Sequence, residues 1–170
     1  MPATSRTDHA PSASSEPSAA RTLDRATRFV TPNPSATIAP QEKFIPHTIK
    51  YLSLGKPAPL HDAGTPRRTW LHASDTANAV ITIINAGVKN EIYNISGNYE
   101  DENLVVACKI MTLMKLSGSE WLDTEVKRQG QDVRYSVNDL KLQALGWRPK
   151  ADFDKELKSI VKYYTKNFIW

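Results

Sequence analysis

Gly64–Asp75 reads GTPRRTWLHASD, and the order of residue types in this stretch frames everything on either side of it. A glycine turn leads through Arg67 and Arg68 into a short apolar strand, and Asp75 stands where a helix N-cap belongs. Paired arginines at a strand entry suit a phosphate, because a guanidinium presents planar, bidentate, permanently charged donors. Neighbouring strand residues point to opposite faces, so Arg67 and Arg68 cannot both serve one ligand. Downstream, TANAVITIINAG sets Ala77, Val80, Ile81 and Ile84 in an apolar stripe ending at Gly87, which predicts a helix over 76–86. Residues 91–95 (EIYNI) alternate and favour a strand.

Upstream, Phe44, Ile45, Ile49 and Leu52 recur at helical spacing, Pro46 is tolerable in a first turn, and Gly55 follows as a C-cap, predicting a helix over 41–54. The two prolines of KPAPLH (56–61) forbid a helix and fit an extended edge. Towards the C-terminus, Asn103 is expected to cap a helix over 104–116, ended by Ser117-Gly118, in which Cys108 is a packed core thiol rather than a nucleophile. Residues 121–127 read as irregular. Asn138 caps a short helix over 139–145, stopped by Gly146 and followed by Trp147. The last helix, 153–168, buries Phe153, Leu157, Ile160, Val161 and Tyr164 and turns Lys155, Lys158, Lys162 and Lys166 outward. Lysines opposite an apolar stripe are a solvated face, not a nucleic-acid surface.

A chain of 170 residues suffices for one domain. Residues 1–40 hold six of the eleven prolines and little large apolar side chain, so they are expected to be a disordered Ser/Thr/Ala/Pro-rich extension, leaving 41–170 as the folded lobe. Lys and Arg exceed Asp and Glu by 22 to 18, a surplus of +4 that suits an anionic ligand without demanding nucleic acid. A single cysteine excludes an internal disulfide, and no apolar run approaches the ~20 residues of a membrane span, so a cytoplasmic location is expected. The four histidines and Cys108 show no ligand spacing, and no metal site is expected.

The segments EKFIP, GKPAPL, RRTWLHASD, EIYNISG, RQGQD and LGWRP stand in this order between Gln41 and Trp170. In that order and approximate spacing they resemble the C-terminal part of the nucleotide-sugar 4,6-dehydratases, above all the dTDP-glucose 4,6-dehydratases of the extended short-chain dehydrogenase/reductase superfamily. The resemblance implies an α/β fold: a partial extended-superfamily fold, a C-terminal substrate-binding lobe of helices and short strands without most of the Rossmann sheet. It implies that Glu42 and Lys43 lie against a sugar nucleotide, although a charged first turn that merely caps its helix is equally in keeping with the residues. His61 falls where the family carries an aromatic beside the base, so it either stacks there or is an exposed loop histidine. KRQGQDVRY (127–135) resembles a loop that closes over the diphosphate, with Arg128, Arg134 and Tyr135 at matching positions and Gln129 and Gln131 in place of a proline and a histidine. Arg134 has two readings, ligand contact or a salt bridge to Asp132 or a nearby helix.

The parent reaction implied by the resemblance oxidises C4 of a hexose with bound NAD, eliminates water across C5 and C6 and returns the hydride to C6. A tyrosine and lysine on one helix and an acid/base pair of carboxylates perform it, and none of these has a counterpart here, so the chain is expected to bind a nucleotide diphosphate sugar without being a dehydratase by itself. Other readings stand beside it: a non-catalytic relic or partner subunit, completed by a Rossmann-domain chain or acting as a homodimer, and a fragment of a related nucleotide-sugar epimerase or decarboxylase. The family holds the pyrophosphate of NAD on backbone amides of a glycine-rich loop. The seven glycines here include no Gly-x-Gly-x-x-Gly spacing. The isolated chain is therefore expected to give no NAD binding by calorimetry, and micromolar affinity would overturn that expectation.

Overall fold

The computed structural model describes Phe29–Val30, Pro34–Ala36 and residues 43–167 apart from Arg128 and Gln131. Eight short strands and five α-helices follow one another within these residues. They are β1 (Phe29–Val30), β2 (Pro34–Ala36), α1 (Phe44–Ser53), β3 (Ala58–Pro59), β4 (Arg67–His72), α2 (Ala73–Ala86), β5 (Tyr93–Asn94), β6 (Tyr99–Glu102), α3 (Asn103–Leu113), β7 (Leu122–Asp123), β8 (Arg134–Tyr135), α4 (Leu140–Gln143) and α5 (Phe153–Lys166).

Strand β4 organises the rest. β6 pairs antiparallel along one edge, from Arg67↔Glu102 to Trp70↔Tyr99. The other edge is shared by β8, parallel at Arg67↔Arg134 and Arg68↔Tyr135, and by β2, parallel at Leu71 and His72. Side chains alternate across the strand, so β4 is buried on both faces at its centre. Trp70 enters a core with Ile45, Ile49, Val106, Ile110, Leu157 and Val161, where its ring meets Phe44 and Phe153, each with centroids 5.8 Å away. Leu71, on the opposite face, enters a second core with Ala79, Ile83, Tyr93, Ile95, Leu142 and Trp147.

The helices follow their sequence periods, with instructive shifts at their ends. α1 buries Ile45, Thr48, Ile49 and Leu52 at i, i+3, i+4 and i+7. It ends in a Schellman motif, with Gly55 at φ 66° and the Lys56 amide donating to the Tyr51 carbonyl at 2.9 Å. α3 stops three residues earlier than expected by the same device, the Leu116 amide donating to Met111 O at 2.9 Å with Lys115 at φ 60°. Its N-cap is Glu102, with Asn103 the first helical residue.

Asp75 does not cap α2. His72 does, its Nδ1 accepting from the Ser74 amide at 3.2 Å, because β4 runs straight into the helix. Asp75 is buried in the first turn instead, where its carboxylate accepts from the Ala151 amide at 3.0 Å and its carbonyl from Trp147 Nε1 at 3.2 Å. The predicted stripe of α2 is also rotated. Ala79 and Ile83 are buried, whereas Ile81 and Ile84 are 55% and 59% exposed and continue into Val88 and Ile92 at 61% and 56%.

The 91–95 strand narrows to β5 and finds its partner inside the chain, pairing parallel with β1. β1 and β2 both lie within the segment assigned by composition to disorder; the Glu42 position lies outside the described residues. β3 is the expected extended edge and pairs with β7, which falls in the stretch read as irregular. Cys108 is exposed, not packed, because α3 turns Val106, Ala107, Ile110 and Met111 to the core.

Gly97, in the turn between β5 and β6, lies directly against β4: a Cβ there would collide with the Trp70 carbonyl oxygen. Gly146, at φ 87° with open space around it, faces only the left-handed backbone cost. Gly97→Ala is therefore expected to lower unfolding free energy by about 3 kcal/mol or more, against about 1–2 kcal/mol for Gly146→Ala, as measured by urea denaturation.

Candidate functional site

Of the residues singled out from sequence, Arg68, Arg134 and Tyr135 meet at the entry of β4. The residues that follow β3 hold the chain that follows β7: the Leu60 amide donates to Asp123 O at 2.8 Å and the Asp62 amide to Val126 O at 2.9 Å. β4 holds its end, the Arg67 amide donating to Val133 O at 2.8 Å. Between these two anchors the chain makes a left-handed turn, with Asp62 at φ 51°, Ala63 at φ 55° and Gly64 at φ 77°. Gly64 is obligatory twice over, since a Cβ there would also meet the Leu104 amide nitrogen at 2.9 Å.

Register divides the charged residues between two faces. Arg68 lies opposite Tyr135 and Asp101, and its Nη1 donates to the carbonyls of Arg67 at 2.7 Å and Asp132 at 2.9 Å. Its Nε and Nη2 make no hydrogen bond among the described residues. Arg67, Thr69, Glu100 and Arg134 occupy the other face. There Glu100 accepts a two-point fork from Arg134, Nε at 2.6 Å and Nη2 at 2.9 Å, and lies 3.4 Å from Arg67 Nε. The Arg134 salt bridge is thus to a strand carboxylate, neither to Asp132 nor to a helix, and Arg134 and Arg68 point away from each other. Tyr135, half-buried, shares Arg68's face with Asp101.

His61 opens the left-handed turn, half-buried, with Nδ1 buried and without a hydrogen-bond partner among the described residues. His47 on α1 lies within its electrostatic reach; burial first, then the charges of Lys50 and His61, hold the His47 pKa below the ordinary histidine value. Lys43 is exposed at the N-cap of α1, without a side-chain capping bond. Arg128, like Glu42, lies outside the described residues. Sequence reasoning took Asn103 for a helix cap only. It begins α3 beside β4, its amide donating to Pro66 O at 3.1 Å, while its Oδ1 is buried and unpartnered among the described residues. Thr69 Oγ1 and Trp70 Nε1 on β4 are likewise buried and unpartnered among the described residues, and buried polar atoms in native proteins are nearly always satisfied, by ordered water as well as by protein. The one sequence signal for Asn103 was its place directly after an acidic strand.

Tyr99 has a lysine beside it but is not set up as a base. Lys109 Nζ stands 5.4 Å from the Tyr99 ring centre, but the Tyr99 hydroxyl donates to Asp101 Oδ2 at 2.9 Å. Burial, then that hydrogen bond and the Asp101 charge, push the phenol pKa up, the wrong direction for a base. Among the described residues, Gly55, Gly64, Gly118, Gly130 and Gly146 take positive φ, each in a separate turn.

The fold is part of the extended short-chain dehydrogenase/reductase fold. The dTDP-glucose 4,6-dehydratase from Bacillus anthracis, solved in complex with NAD, superposes with TM-score 0.74 at 31% identity, over 82% of this chain and 44% of that one. DesIV, the dTDP-glucose 4,6-dehydratase of Streptomyces venezuelae, solved with NAD bound, gives TM-score 0.76 at 28% identity, over 82% and 43%. UDP-glucuronic acid 4-epimerase from Bacillus cereus, in complex with UDP-glucuronic acid and NAD, shares the fold at TM-score 0.77 with 14% identity.

In sequence, the model of the NAD dependent epimerase/dehydratase family matches residues 18–96, so the likeness begins inside the proline-rich segment. The mouse dTDP-D-glucose 4,6-dehydratase is 35% identical over 132 residues, 75% of this chain and 37% of that protein; the Haemophilus influenzae enzyme is 38% identical over 137 residues, 74% and 40%. The chain is a relative of the dTDP-glucose 4,6-dehydratases, corresponding to their C-terminal part, and spans well under half the length of these relatives.

The Glu100 carboxyl is held below the ordinary glutamate range, chiefly by the Arg134 hydrogen bond and against a partial burial that pushes the other way. A depressed carboxylate stabilises the fold above its unfolded pKa of about 4.3 and loses that contribution as pH falls through the lower folded value. The melting-temperature gap between wild type and Glu100→Gln is therefore expected to be full at neutral pH and to close on acidification. A gap that widens in acid would show the sign to be wrong.

Proposed function

We propose that this lobe binds a nucleotide diphosphate sugar on the face of β4 that carries Arg68 and Tyr135, and that it serves as the substrate-binding portion of a 4,6-dehydratase-like protein without catalysing alone. The observation that carries this reading is the β4–β8 register, which sets Arg68 opposite Tyr135 while withdrawing Arg67 and Arg134 to the other face. Arg68 then has two directions of donation left for a diphosphate, and charge-assisted bonds of that kind are the strong ones. His61, at the turn before β4, is positioned by sequence to meet the base; its buried Nδ1 and the Asn103 Oδ1 are polar atoms that a nucleotide satisfies. Glu42, Lys43 and Arg128 belong to the same site on the family resemblance, Arg128 supplying the second arm of the clamp. The chemistry of the parent family uses NAD and an activated tyrosine; the lack of a Gly-x-Gly-x-x-Gly spacing in the sequence and the upward push on the Tyr99 phenol support a binding role over catalysis by this lobe alone.

The exposed run Ile81, Ile84, Val88 and Ile92 supports a second element of the reading, that the lobe works against another polypeptide surface, either a Rossmann-type domain or a second copy. The sequence relatives are dehydratases, and for that reason dehydration is preferred to epimerisation as the parent chemistry.

Calorimetric titration with dTDP- and UDP-sugars tests the site. Removing one charge-assisted clamp costs about 1.5–3 kcal/mol, so Arg68→Ala is expected to weaken binding roughly ten- to hundredfold. Arg67→Ala, on the opposite face, is expected to change affinity little. Equal affinities for wild type, Arg67→Ala and Arg68→Ala would refute the clamp, and no binding by the wild type would refute the binding reading as a whole.

A further inference from the structure

The β6–β4–β8 ladder contains a carboxylate that reaches over its central strand. Glu100 stands on β6 opposite Thr69, and Arg134 stands on β8 opposite Arg67. The fork between Glu100 and Arg134 therefore spans β4 diagonally and ties its two outer neighbours together. Glu100 is the sheltered partner, its side chain 20% exposed against 62% for Arg134 and 49% for Arg67. One carboxylate thus serves two guanidinium groups, and its position is set by the ladder rather than by a flexible surface side chain.

That tie bears on Arg68. β8 is paired over only two residues, too short to hold itself by backbone bonds alone. Yet Asp132, two residues before it, supplies the carbonyl that fixes the Arg68 guanidinium at 2.9 Å. A shift in β8 moves that carbonyl and turns Arg68 with it. The Glu100 carboxylate also neutralises the far face, so that the cation offered to an anionic ligand is Arg68.

We propose that Glu100 is a positioning residue: by gripping Arg134 across β4 it locks β8 in register and thereby orients Arg68 on the opposite face. The part of this proposal that concerns ligand rests on the nucleotide-sugar reading given above.

The test compares the full chain as wild type, Glu100→Gln, Arg134→Gln and the charge swap Glu100→Arg with Arg134→Glu, by amide hydrogen exchange and by titration with dTDP-glucose. Glu100→Gln and Arg134→Gln are expected to speed exchange of the 132–136 peptide about tenfold and to weaken dTDP-glucose about tenfold, with exchange of α1 and α5 unchanged. The swap is expected to restore both to within about threefold of wild type, which a purely local packing role for Glu100 would not do. Unchanged exchange at 132–136 in the single variants, faster exchange with undiminished affinity, or no rescue by the swap would each overturn the proposal. Failure of the wild type to bind dTDP-glucose overturns the binding reading instead, and the exchange and its rescue then decide the anchor by themselves.

Discussion

Strand β4 must satisfy two cores at once, and the rest of the structure depends on that constraint. Trp70 and Leu71 are neighbours in sequence but face opposite ways, one towards α1, α3 and α5, the other towards α2, α4 and β5. A slip of one residue would exchange them and send an indole into the smaller core and a leucine into the aromatic one. The register is therefore strongly determined at the apolar end of β4, and it is inherited by the charged end. Arg67 and Arg68 do not choose their faces; Trp70 and Leu71 choose for them. Packing two residues away thus decides which guanidinium is available to a ligand.

The same alternation explains how four charged residues coexist at one strand entry without mutual repulsion. Arg67 and Arg134 lie side by side on one face and would repel, but Glu100 stands between them in the shelter of the ladder. Arg68, on the other face, is stabilised by carbonyl oxygens rather than by a carboxylate. A cation held by neutral acceptors keeps its charge available, whereas one forked onto a carboxylate has its field largely cancelled at a distance.

What could be read from the residues, and what could not, follows the range of the interaction responsible. α1, α5 and the α/β character were legible because period and capping are local, and GTPRRTWLHASD announced β4 and the helix after it. The N-cap was misassigned because an imidazole can cap a helix when a serine follows two residues later, and because Asp75 was wanted elsewhere, by the Ala151 amide some seventy residues downstream. The end of α3 was missed because Lys115 takes the left-handed position that glycine usually advertises. β6, with the sequence YEDE, carries almost no apolar signal; it is a strand because β4 needs a partner on that edge. The partner of β5 was hidden in a segment whose composition argues against order. Of the site, the identity of the charged residues was visible, but the separation of Arg68 from Arg134 depends on pairing between positions far apart in sequence.

The turn from Asp62 to Gly64 shows how the two scales meet. A non-glycine residue in the left-handed region costs about 1–2 kcal/mol, a cost that Asp62 tolerates better than Ala63 does. Three constraints impose it. The Asp62 amide is bonded to Val126 O, Thr65 Oγ1 and its amide both return to the Asp62 carbonyl, at 2.9 and 3.1 Å, and Gly64 is pressed against the first turn of α3 at Leu104. Relaxing the turn would break the hold on the 124–133 segment at its start and shift β4 at its entry. The backbone strain is thus held in place by bonds to the 124–133 segment and by the packing of Gly64 on α3, and it fixes the chain between His61 and the entry of β4.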